Sequence, residues 1–333
     1  MNNKKITISL LFFYLLLTIS IIFLVVNIIL ILEKVNPNKT NLNNSEKNLK
    51  SYHKEYKFIS PLLDCADQII SYNESKELDI KITKVIERNI HNSKIESASV
   101  YFRDLNNGPW INYNPEEKFS PASLMKVPLL IAYLKKAESN KSFLEEKINS
   151  ENAKSYLDPN IDPRLTIEQN TDYSVLELLE MMIIHSDNAA AQVLLNNLSY
   201  YEIDYVYYDL GLNPNEWQED NFLTVRDYSS FFRILYNASY LNREMSEFAL
   251  SILAKSEYDA GIKSGIKDKN IIVSHKFGER GIGNSKQLHD CGIIYNYDKP
   301  YLLCIMTRGD DFLKIREAIK EISQVFYQEL ELK

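Results

Sequence analysis

Strand-like segments lie towards both ends of this 333-residue chain, and a long segment of mostly helical pattern, from about residue 140 to residue 256, separates them. The strand-like segments are 98–103, 110–113, 271–276, 288–295 and 301–306. A sheet that contains all five must be assembled from distant parts of the chain. We therefore expect the early residues, the helical segment and the last strands to meet around one cleft.

The amino terminus carries a different kind of pattern. Residues 6–32 contain no charged side chain, and the run is long enough to cross a bilayer. A lysine pair precedes it and no small-x-small cleavage site follows, so we interpret it as an uncleaved transmembrane signal-anchor behind a cytoplasmic tail of residues 1–5. Residues 33–60 are rich in Asn, Lys, Ser and Glu and are predicted to be a flexible tether. The folded domain is predicted to span residues 61–333, with its helical subdomain at about 140–256.

Composition excludes several classes of function. The net charge of −7 argues against a nucleic-acid partner. The five histidines show no metal-ligand spacing, so no metal and no other cofactor is predicted. Cys291 and Cys304 lie on two neighbouring strand-like segments and could face each other across a hairpin. Two buried thiols are favoured over a disulfide, and the question stays open from the sequence.

The segment Ser120 to Lys126 has the pattern of a helix start. Ser120 is predicted to cap the helix and Pro121 to occupy its first position. Ser123 would then lie in the first turn, and Lys126, three residues on, would share its face. A serine hydroxyl is a weak nucleophile until a base removes its proton, and a lysine amine at this distance is a suitable base. The pair therefore predicts a nucleophilic serine.

A second polar motif, Ser186-Asp187-Asn188, lies between two apolar helical segments. It is either a helix–helix turn with Asp or Asn as a cap, or part of a site. In a site, the Ser186 hydroxyl could pass a proton to a departing nitrogen and the Asn188 amide could bind a carbonyl. Asp187 is expected to hold the turn.

A third motif, Lys276-Phe277-Gly278, follows a β-branched strand-like segment. It is either an ordinary strand end or a recognition element. In the second case the Lys276 cation would receive a carboxylate, and Gly278 would let a substrate lie against the strand edge.

In this order the three motifs resemble those of the penicillin-recognising serine hydrolases, and within them the class A β-lactamase type. The resemblance covers roughly residues 80–333. It implies an α+β fold in which an antiparallel sheet is flanked by helices and accompanied by an all-helical subdomain, with the site between the two parts.

The resemblance also implies a role for each matching residue. Ser123 is the expected nucleophile, Lys126 its activating partner and Ser186 the proton donor to the leaving nitrogen. Asn188, Lys276 and Gly278 are expected to bind substrate. The backbone N–H groups of Ser123 and Glu279 are expected to form the oxyanion hole.

This chain departs from the family pattern at two places. Phe277 stands where the family has a threonine or serine whose hydroxyl helps to bind the substrate carboxylate. The Glu-x-x-Leu-Asn setting of the deacylating glutamate is absent, and Glu216 and Glu219, in a short segment at 214–221, are candidates by position alone. The sequence therefore supports acylation better than turnover.

We predict a serine hydrolase of the cell membrane, with one span and an extracytoplasmic domain, which opens β-lactam rings through an acyl-enzyme. Two alternatives use the same residues. One is a D-alanyl-D-alanine carboxypeptidase, a penicillin-binding protein that acts on peptidoglycan. The other is a slowly deacylating penicillin-binding sensor. The expected partners are a β-lactam or a peptidoglycan stem peptide, and the membrane through residues 6–32.

Overall fold

The two ends of the domain meet in one antiparallel sheet. The computed structural model describes Asn27 and residues 56–61, 72–106, 110–151, 153, 165–213, 222–297 and 299–331. The strands are β1 Ser97–Asp104, β2 Trp110–Tyr113, β3 Lys118–Phe119, β4 Lys147–Asn149, β5 Asp172–Ser174, β6 Leu223–Thr224, β7 Ile272–Ile282, β8 Ser285–Tyr295 and β9 Tyr301–Gly309.

Five of these strands form the main sheet, in the order β2-β1-β9-β8-β7. Each neighbouring pair is antiparallel, and β1 pairs with β9 along its whole length. The remaining short strands pair as β3 with β6 and β4 with β5. The predicted α+β fold with an antiparallel sheet is therefore confirmed, and β7 is an outer strand of that sheet.

The described helices cover both faces of the sheet. They are α1 Tyr72–His91, α2 Lys126–Ala137, α3 Val175–Ile184, α4 Asn188–Asn196, α5 Tyr200–Asp209, α6 Val225–Tyr236, α7 Arg243–Leu253 and α8 Phe312–Glu331. Helices α1 and α8 pack together on one face because each carries apolar residues at helical spacing. Ile82 and Ile86 of α1 and Phe326 of α8 are fully buried there, and the Phe326 ring stacks on Phe102 of β1.

Helix α2 forms the centre of the part of the molecule on the other face. Every residue from Lys126 to Leu134 is buried, because the sequence Val-Pro-Leu-Leu-Ile-Ala-Tyr-Leu is apolar on all sides. Helices α3, α5 and α7 pack around it, and α6 and α7 contact the sheet at β9 and β7. This arrangement places the amino-terminal end of α2, and with it Lys126, inside the protein next to the outer strand.

The structure corrects the predicted start of this helix. Ser120 makes no capping bond, since its hydroxyl accepts a 2.8 Å hydrogen bond from Arg280 instead. Pro121 precedes a short 3-10 turn at Ala122–Met125, and the α-helix begins only at Lys126. The prediction failed because a cap is a local preference, and a charged donor from another strand takes the hydroxyl.

The last residues of the predicted tether, 33–60, belong to the folded domain. Phe58, Ile59 and Ser60 are buried. The Glu247 carboxylate accepts hydrogen bonds from the backbone N–H groups of residues 57–59, at 2.7–3.1 Å. A carboxylate that satisfies consecutive backbone donors holds this strap against α7.

The predicted membrane span, residues 6–32, lies outside the described residues except for Asn27. Within the part of the chain that the structure describes, no helix has both the length and the apolar content that a membrane crossing needs.

Cys291 and Cys304 are joined by a disulfide bond, so the expectation of two free thiols was wrong. The register of β8 and β9 places the two residues directly opposite each other, and both are fully buried. The sequence left this open because a one-residue change of register would have turned the two side chains to opposite faces.

Candidate active site

The turn that carries Ser123 has a strained backbone. Ala122, immediately before it, has a φ of 49°, in the left-handed region that non-glycine residues rarely occupy. Ser123 itself is half-buried. Strain of this kind persists only where surrounding contacts impose it, and it is concentrated at functional sites.

Gly278 of β7 lies directly against this turn. A Cβ atom at Gly278 would come within 2.6 Å of the Pro121 carbonyl oxygen and 3.0 Å of the Leu124 backbone nitrogen. The absent side chain therefore makes room for the turn. The predicted contact of Gly278 with a substrate stays a prediction. The contact places Ser123 beside the outer strand.

Lys126 connects the first motif with the second. Its ammonium group donates to the Ser186 carbonyl oxygen at 2.6 Å, to the Ser186 hydroxyl at 3.2 Å and to Asn188 Oδ1 at 2.7 Å. The side chain is almost completely buried. An ammonium group has three donors, and the second motif offers three acceptors for them.

The second motif is a turn that its own aspartate holds in place. Ser186 has a φ of 55°, in the left-handed region, and its hydroxyl is hydrogen-bonded by Lys126 and by Lys276. Asp187 caps α4 by accepting a 2.9 Å bond from the Ala189 N–H, and it also binds the Thr166 hydroxyl and the Ile167 N–H at 2.9 Å each. Asn188 is exposed at the start of α4.

Lys276 brings the third motif to the same hydroxyl. Its ammonium group lies 2.8 Å from Ser186 Oγ and 3.0 Å from the Phe277 carbonyl oxygen, and its side chain is fully buried. The ammonium group also lies 4.1 Å from the centre of the Phe277 ring. That ring is buried and stacks on Tyr258 with ring centres 3.9 Å apart. Phe277 therefore supports the cation through its ring where the family has a hydroxyl.

The next residue, Glu279, carries the predicted oxyanion-hole N–H on the same outer strand. Its side-chain carboxylate lies 3.8 Å from Arg316 of α8. Since Gly278 contacts the Ser123 turn, the backbones at Glu279 and Ser123 belong to two adjoining elements.

A cavity of about 450 Å³ opens beside the turn at Ala122–Met125, which carries Ser123 and is called the nucleophile turn below. Ser123, Lys126, Asn188 and Gln192 supply its polar side, and the remaining lining residues, all apolar, are Ala122, Met125, Leu129, Ala191, Leu195 and Ile203. Three of the predicted site residues thus share one cavity. Glu216 and Glu219 lie outside the described residues, so their positions relative to the cavity stay predictions.

Sequence reasoning missed the residues that hold Ser120. Its backbone N–H donates to Gln287 Oε1 at 3.0 Å, and its carbonyl oxygen accepts from His289 Nε2 at 2.8 Å. His289 Nδ1 in turn accepts the Thr307 N–H at 3.2 Å, so the ring is neutral. Burial lowers the pKa of His289 to about 4. The sequence signal was weak: Gln287 and His289 alternate along β8, but nothing local identifies their partner.

Comparisons with known proteins support the fold described above. A family model described as the β-lactamase enzyme family matches residues 78–330. Among solved structures, the structure of PBP-A is 22% identical, has a TM-score of 0.64, and the alignment covers 77% of this chain and 97% of that one. A class A β-lactamase from Bacteroides cellulosilyticus is 19% identical, with a TM-score of 0.64 and coverage of 77% and 99%.

The TLA-3 extended-spectrum β-lactamase is 17% identical, with a TM-score of 0.65 and coverage of 76% and 99%. At such identities these likenesses establish a shared fold. No curated protein matches the sequence.

Proposed function

Because this chain belongs to the β-lactamase enzyme family, we propose that it is a serine hydrolase that opens the β-lactam ring through an acyl-enzyme on Ser123. One observation carries the proposal. Lys126 and Lys276, 150 positions apart in the sequence, both donate to the Ser186 hydroxyl beside the cavity that Ser123 lines. Acyl transfer to a serine needs groups that can take up and deliver protons beside the nucleophile, and this arrangement supplies them.

Acylation would proceed as follows. Lys126, once its ammonium group has given up one proton, takes the proton of Ser123 as the Ser123 oxygen attacks the lactam carbonyl. The N–H groups of Ser123 and Glu279 stabilise the oxyanion, a contribution of several kcal/mol in such sites, roughly 3–4 per donor. The C–N bond then breaks, and Ser186 passes a proton to the departing nitrogen. Contact of Ser186 with both lysines supports this relay, since either ammonium group can restore its proton.

Substrate recognition would use the remaining polar groups. The Asn188 amide is exposed at the cavity and suits a side-chain amide of the substrate. The positive charge of Lys276 beside Ser186 favours a substrate with a carboxylate. The apolar wall of the cavity suits an apolar substituent.

Hydrolysis of the acyl-enzyme needs a base that activates water. None of the described residues lining the cavity is a carboxylate. Glu216 and Glu219 are the proposed candidates, because the segment that contains them connects α5, whose Ile203 lines the cavity, to β6, which pairs with Phe119 just before the nucleophile turn.

A second function has specific support. A D-alanyl-D-alanine carboxypeptidase or other penicillin-binding protein acting on peptidoglycan, or a slowly deacylating sensor, needs acylation but not rapid hydrolysis of penicillin. Phe277, which stands where the family has a residue with a hydroxyl, favours these alternatives over a β-lactamase. So does the likeness to PBP-A, a variant of which is described as an acyl-enzyme complex with penicillin G.

We further propose that the domain lies outside the cytoplasm, anchored in the cell membrane through residues 6–32. The uncharged run and its preceding lysine pair support the anchor. The Cys291–Cys304 disulfide supports the location, because disulfides persist mainly in oxidising compartments.

The test is to mix the purified domain with a chromogenic cephalosporin and count product per enzyme. Product well above about one equivalent supports a β-lactamase, and a burst of about one equivalent followed by a slow phase supports the second group. Absence of any burst, with a folded protein, would overturn both. Ser123→Ala serves as the control for spontaneous hydrolysis.

A further inference from the structure

We propose that Arg280 is a positioning residue, which acts through Ser120 to hold the Ser123 turn against strand β7. The inference rests on the proposed function, since it concerns how the acylating serine is kept in place. It assigns a task to a serine that the sequence pattern placed in a helix cap.

All the polar groups of Ser120 are engaged by the sheet. Arg280 of β7 donates to its hydroxyl at 2.8 Å. Gln287 and His289 of β8 bind its N–H and its carbonyl oxygen, at 3.0 and 2.8 Å. Ser120 is 5% exposed, so water cannot readily replace these partners. Two adjacent strands therefore fix the residue that enters the nucleophile turn.

The turn is also fixed on its far side. The Tyr228 hydroxyl donates to the Leu124 carbonyl oxygen at 2.9 Å, and Gly278 packs against the Leu124 nitrogen. Between these anchors lies Ala122 with its left-handed backbone. A strained residue relaxes when one end is released, because its conformation is imposed from outside. Release of Ser120 should therefore move Ser123.

Among the residues that hold this turn, Arg280 is the one next to a proposed oxyanion-hole residue. It follows Glu279 directly, and Ser120 precedes Ser123 by three positions. The Arg280–Ser120 bond therefore joins the two elements that carry the proposed oxyanion-hole donors. Small displacements of reacting groups reduce rate without removing any binding contact. We expect its loss to slow acylation and to leave pre-covalent affinity unchanged.

The test measures the rate of labelling by a fluorescent penicillin over a range of concentrations, which separates the limiting acylation rate from the pre-covalent dissociation constant. Ser120→Ala and Arg280→Met should each lower the limiting rate by about 10- to 100-fold. The double variant should be no slower than either one, because both remove the same bond. Arg280→Lys, which retains a donor, should recover part of the rate.

Lys286→Met is the matched control. It removes a positive charge from the neighbouring strand, where Lys286 faces Gly281 and lies over the Phe312 ring, away from Ser120. Its labelling should equal that of the wild type. Circular dichroism verifies that each variant is folded, and Ser120→Ala gives the answer alone if Arg280→Met does not fold.

Three results would overturn the inference. Unchanged limiting rates in folded Ser120→Ala would show that the bond is not needed. Weaker pre-covalent binding in Arg280→Met alone would show that Arg280 contacts substrate directly. Additive losses in the double variant would show separate roles. A wild type that is not labelled at all would overturn the proposed function itself, which distinguishes the two failures.

Discussion

Lys276 donates a 2.8 Å hydrogen bond to the hydroxyl of Ser186, although 90 residues separate them. Lys126 reaches the same oxygen at 3.2 Å. A single buried hydroxyl therefore connects all three sequence motifs.

Replacement of Lys276 should weaken the binding of substrates that carry a carboxylate. Hydrogen bonds to charged groups contribute about 1.5–3 kcal/mol, so Lys276→Met should raise the KM for a penicillin by about 10- to 100-fold. Steady-state kinetics, or labelling kinetics if turnover is slow, measures this, with Lys286→Met as the matched loss of charge. An equal loss towards an ester substrate without a carboxylate would contradict the role given to Lys276.

Removal of the nucleophile should abolish covalent labelling. Ser123→Ala has no oxygen to acylate, and Lys126→Ala should label about 100-fold more slowly or worse, since a positioned base contributes at least that much. Fluorescent penicillin followed by gel electrophoresis measures both. Ser264 has the same spacing to Lys267, and its hydroxyl bonds only locally to Gly261, so Ser264→Ala is the control. Undiminished labelling of Ser123→Ala would reject this assignment.

We expect hydrolysis of the acyl-enzyme to be the step that limits turnover. If Glu216 or Glu219 activates the water, its change to Gln should leave acylation intact and trap the adduct, because the ester then lacks a base. Mass spectrometry after a penicillin pulse detects the added mass of the whole drug. If neither serves, the wild type should already show a burst of about one equivalent and slow turnover. Rapid turnover in the wild type and in both variants would require another base.

The proposed membrane orientation can be tested in cells. Protease added to intact spheroplasts should digest the domain, because residues 6–32 would hold it on the outer side of the membrane. An immunoblot against the domain measures its loss, and a cytoplasmic protein that survives is the control. Protection of the domain until lysis would invert the topology and exclude a cell-wall substrate.

Stability should depend on His289 in mildly acidic solution. Burial lowers its folded-state pKa to about 4, whereas an unfolded histidine titrates near about 6.5. Between these values the unfolded state binds a proton that the folded state excludes, so the free energy of unfolding should fall as the pH is lowered through this window, by about 3 kcal/mol at most.

Urea unfolding at several pH values above about 4.5, where most carboxylates stay ionised, measures this dependence. His289→Gln retains a donor for the Ser120 carbonyl oxygen but cannot titrate, so its stability should vary less over the same window. An identical pH dependence in the wild type and the variant would show that His289 is not the group responsible.

Much of the local structure follows from periodicity. Segment 110–113 matches β2, and the predicted start of β9, at residue 301, is the one observed. The start of α6 is set just as locally, since the Thr224 hydroxyl accepts the Asp227 N–H at 3.1 Å. These features depend on side chains a few residues apart, so a short stretch of sequence determines them.

The strand ends were less predictable. β7 continues from the predicted segment 271–276 to Ile282, six residues further, through Gly278 and Gly281. Its partner β8 satisfies the backbone of this polar extension, which single-strand patterning does not anticipate.

The sequence by itself determined which residues are chemically able to act: a serine with a lysine three residues on, a polar turn between helices, and a lysine at a strand end. Only the tertiary structure decided which of them meet. Lys126 and Ser186, Arg280 and Ser120, and the two strand cysteines are partners across 60, 160 and 13 positions. Such pairs are selected by strand register and helix packing, which depend on the whole core at once, whereas local patterns record only each segment's own preference.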